Sequence, residues 1–300
     1  MTFYEAIMSN KPNQNYSEAI GRIRRKTIWL DPASIDRMTD LLDLPRGSTS
    51  GTVPVPWHWV YFFSESVANI CIGRNGHPAG GDFLPAIRLE RRMFAGSRIE
   101  IFAELRTGRE ATFVERIDAI EEKSGTSGPL LFVTIHCSIE QDGAQVGTEQ
   151  RTLVYLDPPG PVAMPPVQPF MPPEEGEIAC EWRPQTQELF RYSALTYNGH
   201  RIHYDADYAR DVERYPGIVV HGPLTATRLA LLAARMTGEP VTWFSFRGKA
   251  PVFVDQPIQL IGRSEKNGTI ALRAIRCDGA VAMEATARTG YASPAVRQPI

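Results

Sequence analysis

An α+β fold built twice over is what this sequence predicts, and three observations carry the prediction. A proline-dense stretch, DPPGPVAMPPVQPFMPPEEGE from Asp157 to Glu177, divides the chain. Each side of it closes on strand-length segments flanking an Asp-Gly pair, Asp142-Gly143 in the first half and Asp278-Gly279 in the second. Only the second half carries a convincing long helix, in HGPLTATRLALLAARMTGE.

Along residues 1–156 the helix candidate is WHWVYFFSESVANICIG, which is aromatic-rich, ends early and runs into the glycine-rich RNGHPAGGDF. SRIEIFAELRTG and TFVERIDAIEEKSG read as strands. LLFVTIHCSIEQDGAQVGTEQRTLVYL reads as a hairpin, because Asp and Gly both tolerate the positive φ of a tight turn. Proline at the density of residues 157–177 removes backbone donors and holds the chain extended, which makes this stretch a stiff linker. In residues 178–300, ELFRYSAL reads as strand-like and TYNGHRIHYD as a loop at the sheet's rim. The helix then takes Pro223 in its first turn, lays Leu224, Leu231, Leu232 and Ala234 over a broad apolar face, and closes at Gly238. PIQLIGRSEKNG and TIALRAIRCDGAVAMEATARTGY complete a second antiparallel meander. A buried helix wrapped by long antiparallel strands is the hot-dog arrangement. The expectation is a double hot-dog fold: two antiparallel sheets with a buried central helix, the first repeat degenerate and widened by loss of all or part of its helix.

Composition excludes several function classes. With 43% hydrophobic and 22% charged residues and a net charge of -2, the chain offers no electrostatic case for nucleic acid. The N-terminal MTFYEAIMSNKPNQN lacks a basic segment followed by an apolar run, and no stretch approaches the ~20 apolar residues of a spanning helix. A soluble, cytoplasmic protein without a membrane partner is expected. The four cysteines are far apart with no C-x-x-C pair, so each reads as a small buried hydrophobe without a role.

Polar chemistry concentrates in TYNGHRIHYD, Thr196 to Asp205, where two histidines lie three apart with an Asp close behind. Imidazole exchanges protons near neutral pH, so proton transfer, a metal site and plain surface polarity compete. His200, His203 and Asp205 lack a further convincing ligand set, and no metal is expected. Shortly downstream, PGIVVHGPLTA places His221 and Gly222 at a helix N-terminus, where free N–H groups and the helix dipole stabilise developing negative charge. Trp57, His58 and Trp59 read as core, or as the lining of an acyl pocket in a widened first half. Arg91, Arg92 and Arg247 are candidates for a phosphate or carboxylate, and Lys249 for the path of a pantetheine arm. His58, His77 and His136 have no partnered motif and read as structural.

YSALT, then Asn198, His203 and Asp205, then DYARDVERYPGIVVHG, resemble the signature of MaoC-like (R)-specific enoyl-thioester hydratases, S-G-D-x-N-P-[LI]-H followed by A-H-G. Asn198 stands where that family has its catalytic Asp, His200 where it has Asn, Arg201 where it has Pro, His203 at its catalytic His, and Gly222 at its oxyanion-hole glycine. FRYSALTYNGHRIHYD with YPGIVVHGPL is similar to a narrower branch, the hydroxyacyl-thioester dehydratase type 2 and mesaconyl-CoA hydratase group. VPWHWVYFF and LPAIRLERRMFAGSRIEIF look like that branch's degenerate first repeat.

The resemblance implies a hydro-lyase that adds water reversibly to an enoyl-CoA. Mesaconyl-CoA or itaconyl-CoA ranks first as substrate, and a 3-hydroxyacyl thioester of fatty-acid synthesis next. Coenzyme A, or acyl carrier protein, enters with the substrate, no cofactor is called for, and edge-to-edge pairing into a homodimer is expected. A thioesterase and a non-catalytic thioester-binding protein are the rival readings, the latter favoured by the amide at Asn198. In the expected mechanism His203 activates the water, Asn198 orients it, and the Gly222 N–H polarises the thioester carbonyl. Asp205 or a backbone carbonyl sets the His203 tautomer, and either His200 or Asp205 replaces the missing carboxylate. His200, Asp205, His221, Arg247, Lys249, Trp57 and Arg92 are expected around the substrate.

Overall fold

The computed structural model describes residues 16–63, 66–79, 81–89, 91–125, 128–158, 160 and 162–291. Strand β1 (Ile23–Trp29) leads into helix α1 (Pro32–Leu41), a single turn α2 (Trp59–Phe62), and the long strands β2 (Arg91–Ile101), β3 (Glu110–Gly125), β4 (Gly128–Gln141) and β5 (Ala144–Leu156). The plan then repeats with β6 (Glu177–Trp182), α3 (Thr186–Thr196), the short α4 (Ala206–Asp211) and the long α5 (Gly222–Thr237). Strands β7 (Val241–Gly248), β8 (Ile258–Ser264), β9 (Ile270–Arg276) and β10 (Val281–Thr289) close it.

All ten strands form one antiparallel sheet in the order β1-β3-β4-β5-β2-β7-β10-β9-β8-β6. Read inward from its two edges, the same connectivity occurs twice, 1-3-4-5-2 and 6-8-9-10-7. The two expected sheets are therefore fused edge to edge at β2 and β7, paired from Gly96↔Arg247 to Glu100↔Trp243. That seam needs a glycine, since a Cβ on Gly96 would lie 2.3 Å from the Phe246 carbonyl oxygen. At the β4–β5 hairpin both Asp142 (φ 52°) and Gly143 (φ 78°) take the left-handed backbone a two-residue turn demands. In the second Asp-Gly turn only Gly279 does, while Asp278 pairs with Arg276 and accepts the Ala280 N–H.

Helix α5 starts with Pro223 in its first turn, ends at Gly238 in the left-handed conformation, and is wrapped by β7, β8, β9 and β10. Its buried Leu224, Leu229 and Leu232 each stabilise the fold by about 1.5–3 kcal/mol. In the first half the corresponding helix, α2, is four residues long, and the described residues from there to β2 add only a 3-10 turn at Asn69–Cys71. ELFRYSAL, read as strand-like, is helical within α3. Leu189, Tyr192 and Thr196 are buried at spacings of three and four, so the 3.6-residue period overrides the aromatic content. Helix α1 has a matching signature in the Asp31-Pro32 start, where the Asp31 carboxylate accepts the Ala33 N–H, and in buried Ile35 and Met38.

Among the described residues of 157–176 there is no helix or strand, and the Gln168 N–H donates to the Cys277 carbonyl. Cys137 and Cys277 are buried as expected, whereas Cys71 and Cys180 are exposed, and all four are free. No helix among the described residues is long and apolar enough to cross a membrane. One core spans both halves, and a satellite of Ile202, Tyr208, Ala209, Tyr215, Val219 and Phe253 lies under the histidine-rich loop.

Candidate active site

Helix α3 stops because Tyr197 turns left-handed (φ 52°), and the Asn198 N–H closes back on the Ser193 carbonyl at 2.8 Å. The Asn198 Oδ1 then accepts the His200 N–H at 3.1 Å, which leaves the amide NH2 as the donor Asn198 offers to its surroundings. Residues Arg201–His203 form a 3-10 turn whose Ile202 is anchored in the satellite core, and this fixes the direction of His203.

His203 is held in one tautomer. Its Nδ1 lies 2.7 Å from the Val219 carbonyl, which can only accept, so Nδ1 carries the hydrogen and Nε2 keeps a free lone pair. Burial, and then the positive charge available at His200, push its pKa down to about 3, against the opposing effect of the Val219 bond. The ring stacks on His221 at 3.6 Å and 22°. His221 is fully buried at the cap of α5, with Nε2 2.8 Å from Ser193 Oγ, and burial pushes it well below the usual imidazole range. Two neutral rings thus lie face to face.

His200 is placed differently. Its Nε2 lies 3.1 Å from Glu213 Oε1, and its ring meets His203 edge-on at 5.3 Å and His77 at 4.4 Å. Glu213 is 1% exposed, and its other oxygen is 3.6 Å from Nε of Arg91, whose guanidinium covers the Tyr215 ring. His77 arrives on a second Asn-Gly-His, in which Asn75 Oδ1 accepts the His77 N–H at 3.0 Å just as Asn198 serves His200. The two tripeptides interlock through their glycines. A Cβ on Gly76, at φ 88°, would lie 1.9 Å from the Gly199 carbonyl oxygen, so only glycine permits the approach.

These side chains face two cavities. The smaller, about 180 Å³, is walled by His200, His203, Asn198 and Gly222 together with apolar side chains such as Phe94 and Met283. Gly222 opens α5, where N–H groups lack intrahelical partners. The larger, about 700 Å³, occupies the region beside the shortened first-half helix and shares Phe63, His77, Arg92 and Asn198 with the smaller one. Arg24, Arg74, Arg88 and Arg92 line it, with no Asp or Glu among its described walls. Arg24 pairs with Glu115, whereas half-buried Arg92 has no hydrogen-bond or ion-pair partner among the described residues.

A family model described as hydroxyacyl-thioester dehydratase type 2 matches residues 56–254, a span holding both Asn-Gly-His segments, Glu213 and the start of α5. The chain belongs to the hydroxyacyl-thioester dehydratase type 2 family. It is a hydro-lyase. This dehydratase is 44% identical over 253 residues to the mesaconyl-C(4)-CoA hydratase of Chloroflexus aurantiacus, covering 83% of this chain and 89% of that one. Among solved structures, a MaoC-like dehydratase superposes with a TM-score of 0.71 at 14% identity, covering 92% of this chain and 100% of the other. A MaoC-like dehydratase from Phytophthora capsici gives 0.70 at 14% identity, covering 93% and 98%. At that identity the likeness is one of fold, the MaoC-like hot-dog.

Of the positions singled out from sequence, Asn198, His200, His203, Gly222, Arg92 and Lys249 meet around the dehydratase's small cavity. Lys249 does so at the surface, its ammonium 2.7 Å from Glu284. Five others sit elsewhere. Asp205 caps α4 through the Tyr208 N–H and pairs with Arg201 at 2.6 Å, so the His203 tautomer is set by the Val219 carbonyl instead. His221 supports His203 from behind the wall. Arg247 is exposed on β7, opposite Gly96 and Glu284. Trp57 is 3% exposed within the main core, and Phe63 and Phe94 supply the aromatic wall in its stead. Arg91 is buried against Glu213 and Tyr215 and faces no ligand space.

Two residues escaped the sequence reading. His77, taken as structural, packs on His200, and the signal for it is the repeated Asn-Gly-His. Glu213 lies thirteen residues from His200 in a charged run, DYARDVERY, with nothing local to mark it as buried. Among the described residues no three His, Cys, Asp or Glu side chains are placed to hold a metal ion.

Proposed function

We propose that this enzyme adds water reversibly to a short α,β-unsaturated acyl-CoA whose acyl group bears a second carboxylate, as in mesaconyl-CoA or itaconyl-CoA. The observation that carries the reading is the convergence on one small cavity of an imidazole with a free Nε2, a second imidazole and the first turn of a helix at Gly222. Hydration needs an acceptor for a water hydrogen, a proton for the α-carbon and a donor for the enolate oxygen. His203 Nε2 and His200 hold the attacking water, and Asn198 orients it through its free NH2. The Gly222 N–H faces the thioester oxygen as charge develops there.

Two observations support the dicarboxylic acyl group: the 44% identity to a mesaconyl-C(4)-CoA hydratase and Arg92, unpartnered among the described residues, where the two cavities meet. A guanidinium without a protein carboxylate suits a substrate carboxylate. The second reading, a 3-hydroxyacyl thioester of fatty-acid synthesis, draws on the larger cavity, whose 700 Å³ has room for a longer chain.

Incubating the protein with mesaconyl-CoA, itaconyl-CoA and crotonyl-CoA in heavy-oxygen water, and following products by mass, tests both. Gain of one labelled water, with the carboxylated substrates fastest, is the expected result. Preference for crotonyl-CoA and longer neutral chains favours the second reading, and release of free CoA overturns both in favour of a thioesterase.

A further inference from the structure

We infer that Glu213 makes His200 the imidazole that carries the proton between water and the α-carbon, in the place left by the amide of Asn198. The inference rests on the hydration reading above. A carboxylate only accepts, so the 3.1 Å contact with Glu213 puts the hydrogen of His200 on Nε2. The Nδ1 lone pair, which has no partner among the described residues, is then left for the cavity that His200 lines. His203 is the mirror case, with Nδ1 tied to a carbonyl and Nε2 free.

What separates the two rings is the group behind each. A positive charge on His200 faces a buried carboxylate, whereas one on His203 faces a carbonyl dipole and the stacked ring of His221. This is the logic by which a buried carboxylate behind an imidazole stabilises the imidazolium formed during catalysis. The remaining groups around His200 do not reverse it. His77, packed on it from the loop before β2, is kept neutral by burial and by Arg92. Arg91 from β2 stands 3.6 Å from Glu213, beyond hydrogen-bond reach, with its guanidinium drawn over Tyr215, and Tyr208 of α4 adds a hydroxyl beside the same carboxylate.

The water oxygen bonds to the β-carbon as one of its O–H bonds breaks toward His200 Nδ1. The C=C electron pair moves into the thioester as an enolate, whose oxygen faces the Gly222 N–H. The enolate collapses when the α-carbon takes that proton back from His200. His203 Nε2 accepts the water's other hydrogen and stays neutral throughout. Glu213 is a positioning residue in this scheme.

The test uses the full chain with the thioester it hydrates fastest. Glu213→Gln should lower kcat about 100-fold with KM within about threefold, and move the pH profile of kcat, while Glu213→Asp restores part of the rate. A kcat within about threefold of the parent, or a loss with the pH profile unmoved, overturns the inference. Because Glu213→Gln leaves Arg91 without its partner and can cost the fold, nitrogen-15 spectra of the histidines in the unaltered protein give a second readout. They should show the hydrogen on Nε2 in His200 and on Nδ1 in His203, and a hydrogen on Nδ1 of neutral His200 overturns the assignment. Failure of the hydration reading is distinguishable, since it shows as no labelled water in any product, while the tautomer of His200 still decides the His200–Glu213 pairing.

Discussion

Each half of the molecule buries a histidine against a glutamate that faces an arginine, and the two groups differ in what the histidine faces. In the first half His58 Nε2 lies 2.8 Å from Glu149, which also takes the Trp59 indole N–H at 3.0 Å, the Ser97 hydroxyl at 2.8 Å and Arg151 at 3.0 Å. Arg151 continues to Glu115 at 3.1 Å, and none of His58, Glu149 and Arg151 lines a cavity. In the second half His200 and Glu213 lie 3.1 Å apart, Arg91 reaches Glu213 at 3.6 Å from β2 of the first half, and His200 opens onto ligand space. A closed network locks packing, because each charged member faces a counter-charge within it. An open one presents a polarised side chain to whatever enters. His58 caps α2, which ends after one turn and is tied to Glu149 through His58 and Trp59, whereas His221 caps the long α5, which is held by buried leucines.

The contrast predicts that the second half fails kinetically and the first structurally. His203→Ala should lower kcat about 10²-fold by releasing the attacking water from its acceptor, while the thermal midpoint stays close to that of the parent, read by steady-state kinetics and calorimetry. Glu149→Ala should cost about 3–5 kcal/mol of stability by leaving Arg151 buried without its closest counter-charge, read by denaturant unfolding. Slow turnover at undiminished stability in Glu149→Ala would erase the distinction between the two networks.

Smaller effects sharpen the open side. Arg92→Gln should reduce kcat/KM for a carboxylated enoyl-CoA by about 10–100-fold, the range of a lost charge-assisted contact, and leave crotonyl-CoA nearly untouched. Equal losses on both substrates would make Arg92 a general wall residue. Gly222→Ala should fold normally, because the added methyl meets only the Phe94 carbonyl at 3.9 Å and the Met283 methyl at 4.0 Å. It intrudes on the small cavity, however, and displacing the thioester from the helix N-terminus should lower kcat about tenfold.

Much of this was legible in the residues. The duplication shows in two Asp-Gly meanders and a proline-rich divide, and α5 in its apolar face and terminal signals, because these rest on local rules of backbone and periodicity. The Asn198–His203 motif and the helix start at Gly222 were legible for the same reason, lying within one short stretch of chain. What escaped was set by distance along the chain. Glu213 matters through the ring of His200, which no local pattern encodes, and His77 through an interlock of glycines more than a hundred residues apart, whose trace in the sequence is the repeated Asn-Gly-His. Trp57 and Arg247 were misplaced because an aromatic or a guanidinium names a chemistry without naming a direction. Trp57 faces the core and Arg247 faces solvent.

The finest test of the comparison is acid stability, since the two networks fail in different pH windows. Burial holds His203 at about 3 and keeps His77 and His221 well below the usual range, while an unfolded histidine takes its proton near 6.5. Below pH ~6.5 the unfolded chain therefore binds more protons than the folded one, and stability falls as pH drops, by about 1.4 kcal/mol per unit for each such ring. Glu149 acts with the same sign but at lower pH. Burial raises its carboxyl, but Arg151 and His58 outweigh that and hold it at about 2, so the stability it contributes is complete above ~4.5 and is lost as pH falls toward 2. Unfolding midpoints between pH 6.5 and 4.5 should thus decline through the buried histidines of the site, less steeply in His203→Gln. A flat profile across this window would mean that the rings take up protons in the folded protein, and His203 would lose its standing as a neutral acceptor fixed on the Val219 carbonyl.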